Sequence, residues 1–160
     1  MNNYSVLSTP IGDIGIRTNG IGVYMIHLPS TKRILEVQTS LNEYSPIMDQ
    51  ARKEVSQYFF GNRESFNISI DLKMPPFYKR VLLEVLKIPF GKTNSYKQIA
   101  KYSGNIKAAR AVGTANANNP IPIIIPCHRV IASDGKLGGY GGGVEMKKKL
   151  LSHENFQNKV

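Results

Sequence analysis

Two prolines after a methionine, Met74-Pro75-Pro76, divide this chain more firmly than any other feature. Neither a helix nor a strand runs through such a step, because each proline lacks an amide donor and holds φ at about −65°. The halves it separates are unlike. Residues 1–74 hold seven basic and seven acidic side chains, whereas residues 75–160 hold fourteen basic and four acidic ones. The second half thus carries the whole net charge of +10. Two small domains are expected, 1–74 and 75–160. A strongly basic half suits a polyanionic partner, although charge alone fits a merely solvated surface equally well.

A hydrophobic fraction of 41% fills a core and argues against wholesale disorder. No apolar run reaches the roughly 18 residues of a spanning helix, so no membrane role is expected. The opening Met1-Asn2-Asn3-Tyr4-Ser5 lacks the basic and then apolar regions of a signal peptide, which makes the cytoplasm the expected compartment. There is one cysteine, so no internal disulfide forms, and a reducing compartment suits it. That cysteine and three scattered histidines, His27, His128 and His153, lack the paired spacing of zinc ligands, so no metal is expected.

In the first half, residues 3–8 and 11–17 read as strands with Ile11, Ile14 and Ile16 as apolar positions. Asn19-Gly20 is a tight-turn signal, and Val23 to Leu28 reads as a third strand. Residues 48–60 have helical period, since Met48, Ala51, Val55, Tyr58 and Phe59 share a face, and Gly61 stands at the C-cap. The result is a small sheet with a covering helix.

In the second half, Phe77, Val81, Leu82, Val85 and Leu86 mark an amphipathic helix over 77–88, stopped by Pro89. Ser95-Tyr96-Lys97-Gln98 is a capping box that opens a helix through about Tyr102. Gly104-Asn105 turns the chain, and residues 106–117 read as another helix, which makes the pair a helix-turn-helix candidate. Ala108, Ala109, Gly113, Thr114 and Ala115, with Lys107 and Arg110 among them, give that helix a small-residue surface. Such a surface lets a backbone approach closely, and helix packing explains it equally well. Set in a basic half, nucleic acid is the better match.

Residues 119–131 form a rigid apolar segment with three prolines, ending in Cys127, His128 and Arg129. A glycine-rich loop follows from Gly138 to Gly143, and a basic helix closes the chain. A lone thiol after an apolar strand is by itself more often inert than nucleophilic. Three neighbours alter that balance. Pro126 fixes its approach, His128 is a candidate base, and Arg129 adds positive potential that favours thiolate. A base needs a third group to orient it, and Glu154 beside His153 is the best candidate. Adjacent residues of an extended chain point apart, so Cys127 reaches His128 only through a water or a sharp turn. A cysteine hydrolase is the enzymatic rival.

The string Ile125-Pro126-Cys127-His128-Arg129-Val130 resembles the active-site motif of the O6-alkylguanine-DNA alkyltransferases. Ser95-Tyr96 ahead of Ile99-Ala100, the Ala-Ala-Arg-Ala-Val-Gly run from Ala108, Asn119-Pro120, Gly139-Tyr140 and Leu150-Leu151-Ser152-His153-Glu154 resemble further signatures of that family, in its order. Together they span about residues 75–155, while the first half matches only in size and in its Tyr-Phe-Phe-Gly helix end. The resemblance implies an α+β chain. A small N-terminal antiparallel sheet with a helix, ribonuclease H-like, precedes a mainly helical domain with a winged helix-turn-helix.

It also implies roles. Cys127 is the alkyl acceptor, His128 takes its proton through a water, and Glu154 holds the imidazole. Tyr96 bonds the purine and protonates the departing guanine, a task suited to a phenol where charge develops. Its position alone fits an ordinary first-turn aromatic just as well. Arg110 matches an arginine finger that fills the stack after the target nucleotide is flipped out. Ala108, Ala109, Gly113 and Ala115 let the helix sit in the minor groove, and Lys107 and Thr114 join them as expected DNA-binding residues. Asn119 matches a hinge asparagine, and Val130, Tyr140 and Gly141 belong to the substrate pocket. Two departures stand out: position 141, often serine in that family, is glycine, and the stretch 78–82 lacks its tryptophan.

The expectation is a monomeric DNA repair protein that moves an alkyl group from O6-alkylguanine in duplex DNA irreversibly to Cys127. It acts once per molecule, with no cofactor. The alternative is a helix-turn-helix regulator or lesion binder without transfer, which accounts for the basic half but not for Pro-Cys-His-Arg.

Overall fold

The computed structural model describes residues 2–29 and 45–154; the expected domain spans also take in residues 1, 30–44 and 155–160, which lie outside it. Contacts divide the chain into two units, Met1–Leu72 and Lys73–Val160.

In the first unit β1 (Asn3–Thr9), β2 (Gly12–Thr18) and β3 (Val23–His27) form an antiparallel meander with β2 central. Alternation sets its buried face: Ile14, Ile16 and Thr18 have no exposure, while Asp13 is exposed. Ile11, expected within β2, falls in the turn before it, because Pro10-Ile11 reverses the chain and Gly12 follows at φ +117°. Asn19-Gly20 forms no two-residue turn. The Asn19 carboxamide oxygen accepts from Ile21 N at 2.8 Å and Gly22 N at 3.0 Å, which lengthens the loop. Gly22 is required there, since a Cβ would collide with the Ser69 carbonyl where β3 pairs with Ile70.

Helix α1 (Pro46–Phe60) starts two residues earlier than periodicity indicates, because Ser45 caps it by accepting from Met48 N at 3.1 Å. Met48, Ala51, Val55, Tyr58 and Phe59 are all buried, as the period predicts. Glu54 shares that face and is buried too. Its carboxylate accepts from Asn67 N at 2.7 Å, Ile68 N at 3.1 Å and Gln50 Nε2 at 2.7 Å, so it ties the loop after α1 to the helix.

In the second unit α2 (Pro76–Val85) ends three residues short of the expected limit. Ile88 precedes Pro89, which disfavours helical backbone there, and tight turns carry Leu86 to Ile88. Ile88 rather than Leu86 is then the buried residue. A short parallel pair joins β4 (Asn94–Ser95) to β5 (Val130–Ile131). Helix α3 (Tyr96–Tyr102) is capped by Ser95, which accepts from Gln98 N at 3.0 Å. Its far end closes on Gly104 at φ +99°, with Asn105 N bonded to Ala100 O and Gly104 N to Lys101 O.

Helix α4 (Ala109–Ala117) starts later than expected, since Asn105 draws residues 105–108 into a turn, its side chain accepting from Lys107 N. Lys107 and Ala108 therefore precede the helix. A 3₁₀ turn (Cys127–Arg129) leads into β5, and α5 (Val144–His153) buries Met146, Lys147, Leu150 and Leu151. Among the described residues no helix is long and apolar enough to cross a membrane.

Burial acts to raise Glu54, but its hydrogen bonds and Arg63 outweigh that and hold the carboxyl below the usual range. A depressed carboxylate contributes its stability above its ordinary value of 4.5 and loses it as pH falls further. Glu54→Ala is expected to cost roughly 1–3 kcal/mol near neutrality, since it strands the buried Ile68 amide. Urea unfolding followed by circular dichroism reads this, and the gap from the parent should narrow in acid.

Candidate functional site

Asn119 follows α4 and staples the segment that delivers the thiol. Its Oδ1 accepts from Ile121 N at 3.0 Å and its Nδ2 donates to Ile125 O at 2.9 Å. Between these anchors Ile123 takes φ +76°, a conformation that β-branched residues rarely adopt. Residues 121–130 are buried without interruption. Cys127 opens the 3₁₀ turn, its N–H bonded to Ile125 O at 2.8 Å. This is the sharp turn that an extended Cys-His step would lack.

Burial pushes the Cys127 thiol upward, and hydrogen bonds from Asn119 and Tyr140 together with the Lys147 charge oppose that. His128 has no exposure, and its Nε2 lies 2.7 Å from Glu154 Oε2. An ionised carboxylate there keeps the proton on Nε2 and leaves Nδ1 with a lone pair. That Nδ1 is buried and finds no hydrogen-bond partner among the described residues. Burial holds His128 below its ordinary value despite Glu154, so the ring is neutral and able to accept a proton.

Arg129 does not supply the thiol with positive potential directly. Its guanidinium forks onto Glu154, Nε to Oε1 at 2.8 Å and Nη2 to Oε2 at 2.9 Å, while Nη1 donates to Ile88 O at 2.6 Å. Burial acts to raise Glu154, but His128 and Arg129 outweigh it and hold the carboxyl far below the usual range.

The cation near the thiol is Lys147, which sequence reasoning missed. It has no exposure. Its ammonium donates to Val130 O at 2.6 Å, to Leu137 O, and to Gly139 O at 3.3 Å, and stands 5.8 Å from the Tyr96 ring centroid. The glycine-rich loop is thereby clipped to β5. Burial lowers Lys147 to about 8, with Cys127 opposing the shift.

A cavity of about 500 Å³ opens beside Cys127. Tyr96 and Arg110 line it, with Gly139, Tyr140 and Gly141 on the loop side. The α4 wall consists of Ala109, Gly113, Asn116 and Ala117, positions that share one helical face. Tyr96 donates to Gly139 O at 3.3 Å, and burial raises its phenol, so it stays protonated.

Other expected residues lie elsewhere. Ala115 has no exposure and faces the core with Val112, so it presents nothing to a groove. Val130 is equally buried and engages Lys147 through its carbonyl instead of lining the cavity. Lys107 and Thr114 are exposed and Ala108 half-buried, none of them in the lining. Asn116 was missed, although the face holding Ala109 and Gly113 passes through it. Among the described residues no cluster of three or more His, Cys, Asp or Glu is placed to hold a metal.

Residues 2–72 match the family described as 6-O-methylguanine DNA methyltransferase, ribonuclease-like domain, and residues 76–156 match its DNA binding domain. The methylated-DNA–protein-cysteine methyltransferase of Methanosarcina acetivorans is 39% identical over 151 residues, covering 94% of this chain and 97% of that one. The constitutive methylated-DNA–protein-cysteine methyltransferase of Bacillus subtilis is 34% identical over 163 residues, 99% of each chain. A crystal structure of Mycobacterium tuberculosis OGT in complex with DNA has a TM-score of 0.80 at 40% identity, covering 94% of this chain and 91% of that one.

Because the Lys147 charge favours the thiolate, Lys147→Met is expected to slow alkylation of Cys127 by iodoacetamide roughly tenfold at neutral pH, as one pKa unit implies. The parent protein should lose its advantage as pH rises through about 8, where Lys147 gives up its proton. Rates measured across pH test both points.

Proposed function

The chain belongs to the 6-O-methylguanine DNA methyltransferase family, and on that premise we propose that Cys127 accepts the alkyl group of O6-alkylguanine in duplex DNA. The protein is a DNA repair enzyme of the methylated-DNA–protein-cysteine methyltransferase class. One observation carries the assignment of residues. The chain's single thiol lies in a cavity wall with Tyr96 and Arg110, next to a neutral histidine held by a buried carboxylate.

The steps follow from that arrangement. His128 takes the Cys127 proton through a bridging water, since its Nδ1 keeps a free lone pair while Glu154 holds Nε2. The Cys127 sulfur attacks the alkyl carbon, the C–S bond forms, and the bond from that carbon to O6 breaks. Negative charge develops on the departing guanine. Tyr96, kept protonated by burial, donates its proton to the ring and completes a neutral base, and the proton that His128 took from the thiol passes through water to the phenolate left behind.

An alkylated oxygen inside a duplex is closed to in-line attack, so the nucleotide leaves the stack and Arg110 fills its place. Ala109 and Gly113 leave room for the base against α4. A thioether on Cys127 meets no second thiol, because the chain has one cysteine, and each molecule acts once. The enzyme works as a monomer in the cytoplasm.

Cys127→Ala tests the separation of binding from chemistry. It is expected to bind duplex DNA as the parent does while transferring no label from O6-methylguanine. Loss of binding together with transfer would make Cys127 a structural residue.

A further inference from the structure

Asn116 lines the cavity from α4, on the face that also carries Ala109 and Gly113. The residue is 9% exposed, and neither Oδ1 nor Nδ2 finds a hydrogen-bond partner among the described residues. Native proteins keep few buried amides unpaired without a reason. Its place along the helix decides what it meets. Ala109 and Gly113 are half-buried and Asn116 is buried, so the wall runs from the mouth of the cavity to its enclosed end. Asn119, three residues farther on, hydrogen-bonds the Cys127 thiol. The glycine-rich loop closes over the same end, since a Cβ on Gly141 would stand 3.1 Å from Ala117 O. The enclosed end is the sulfur end, and what occupies it is the group bound for the sulfur.

We propose that Asn116 is a specificity-determining residue that favours a polar alkyl group, one with a hydroxyl on its second carbon, over an apolar group of the same length. The inference rests on the alkyl-transfer reading and extends it to the group transferred. In-line attack sets the first carbon between the Cys127 sulfur and O6. The atoms beyond it stand off that line, against the cavity wall. A methyl group has no such atoms and gives the carboxamide no partner. A 2-hydroxyethyl group brings a hydroxyl that donates to Oδ1 or accepts from Nδ2. A propyl group fills the same space and strands both atoms. The bonds exchanged are those of methyl transfer: carbon–sulfur forms, carbon–O6 breaks, the thiol proton leaves through His128, and the guanine departs with the Tyr96 proton. The hydroxyl is neither made nor consumed, so its effect lies in recognition alone.

Single-turnover transfer to Cys127 is measured with the full chain on duplexes carrying O6-(2-hydroxyethyl)guanine, O6-propylguanine and, as the reference, O6-methylguanine. The parent protein is expected to take the hydroxyethyl group about fivefold or more faster than propyl, because a site built to bond a hydroxyl rejects the analogue without it. In Asn116→Leu that preference should vanish or turn toward propyl, since the wall is then apolar. Asn116→Ala reads the same ratio if the leucine variant does not fold. Equal rates in the parent would overturn the proposal. So would the parent's preference kept in the variants, even where both substrates slow together, because Asn116 would then only support the fold. Absence of methyl transfer in the parent refutes the alkyl-transfer reading itself, whereas methyl transfer without the hydroxyethyl preference refutes this inference alone.

Discussion

Glu154 closes α5 and places its carboxylate, without exposure, among donors from separate stretches of the C-terminal unit. His128 and Arg129 reach it from the 3₁₀ turn, and Gly91 N from the loop after α2 at 3.3 Å. Arg129 extends the connection to the Ile88 carbonyl. A buried charge is tolerated only with such pairing, and removing one partner from a buried pair costs about 3–5 kcal/mol. The carboxylate therefore does two things at once. It fixes the last helix against the thiol turn, and it sets the imidazole tautomer that accepts the proton.

Two helices supply the rest of the site by dividing their faces. In α4 Val112 and Ala115 face the core, while Ala109, Gly113 and Asn116 face the cavity. The small residues make a flat wall beside the thiol. In α5 Lys147 sits with Met146, Leu150 and Leu151 on the buried face, so its ammonium works inside the protein. It holds the loop that carries Tyr140 and Gly141 by its carbonyls. The strained backbone at Ile123 is kept in place by the Asn119 bonds on either side of it.

The α+β class and most elements were legible because they depend on local signals. Ser95 before Gln98 marks the start of α3, and the period through Met48, Ala51 and Val55 marks α1. Boundaries failed where a side chain competes with the backbone, as at Asn105 before α4, and where Pro89 disfavours helical backbone in the residue before it. The site was legible where a motif names it. Glu154 with His128 was readable in that way, whereas the Arg129 fork on Glu154 was not, because the motif gives Arg129 no partner and 25 residues separate the two. Lys147 was hidden in the run Lys147-Lys148-Lys149, which reads as a solvated face. Only helical period distinguishes the first of these from the exposed pair that follows. Asn116 was hidden among small residues whose apparent purpose was close approach.

The most direct test is intact-protein mass after incubation with excess duplex DNA containing one O6-methylguanine, followed by peptide mapping. The account expects a gain equal to one methyl group replacing one hydrogen, located on Cys127, with no further gain at longer times. An unchanged mass, with protein and lesion both intact, would contradict it and leave a protein that binds DNA without accepting the alkyl group.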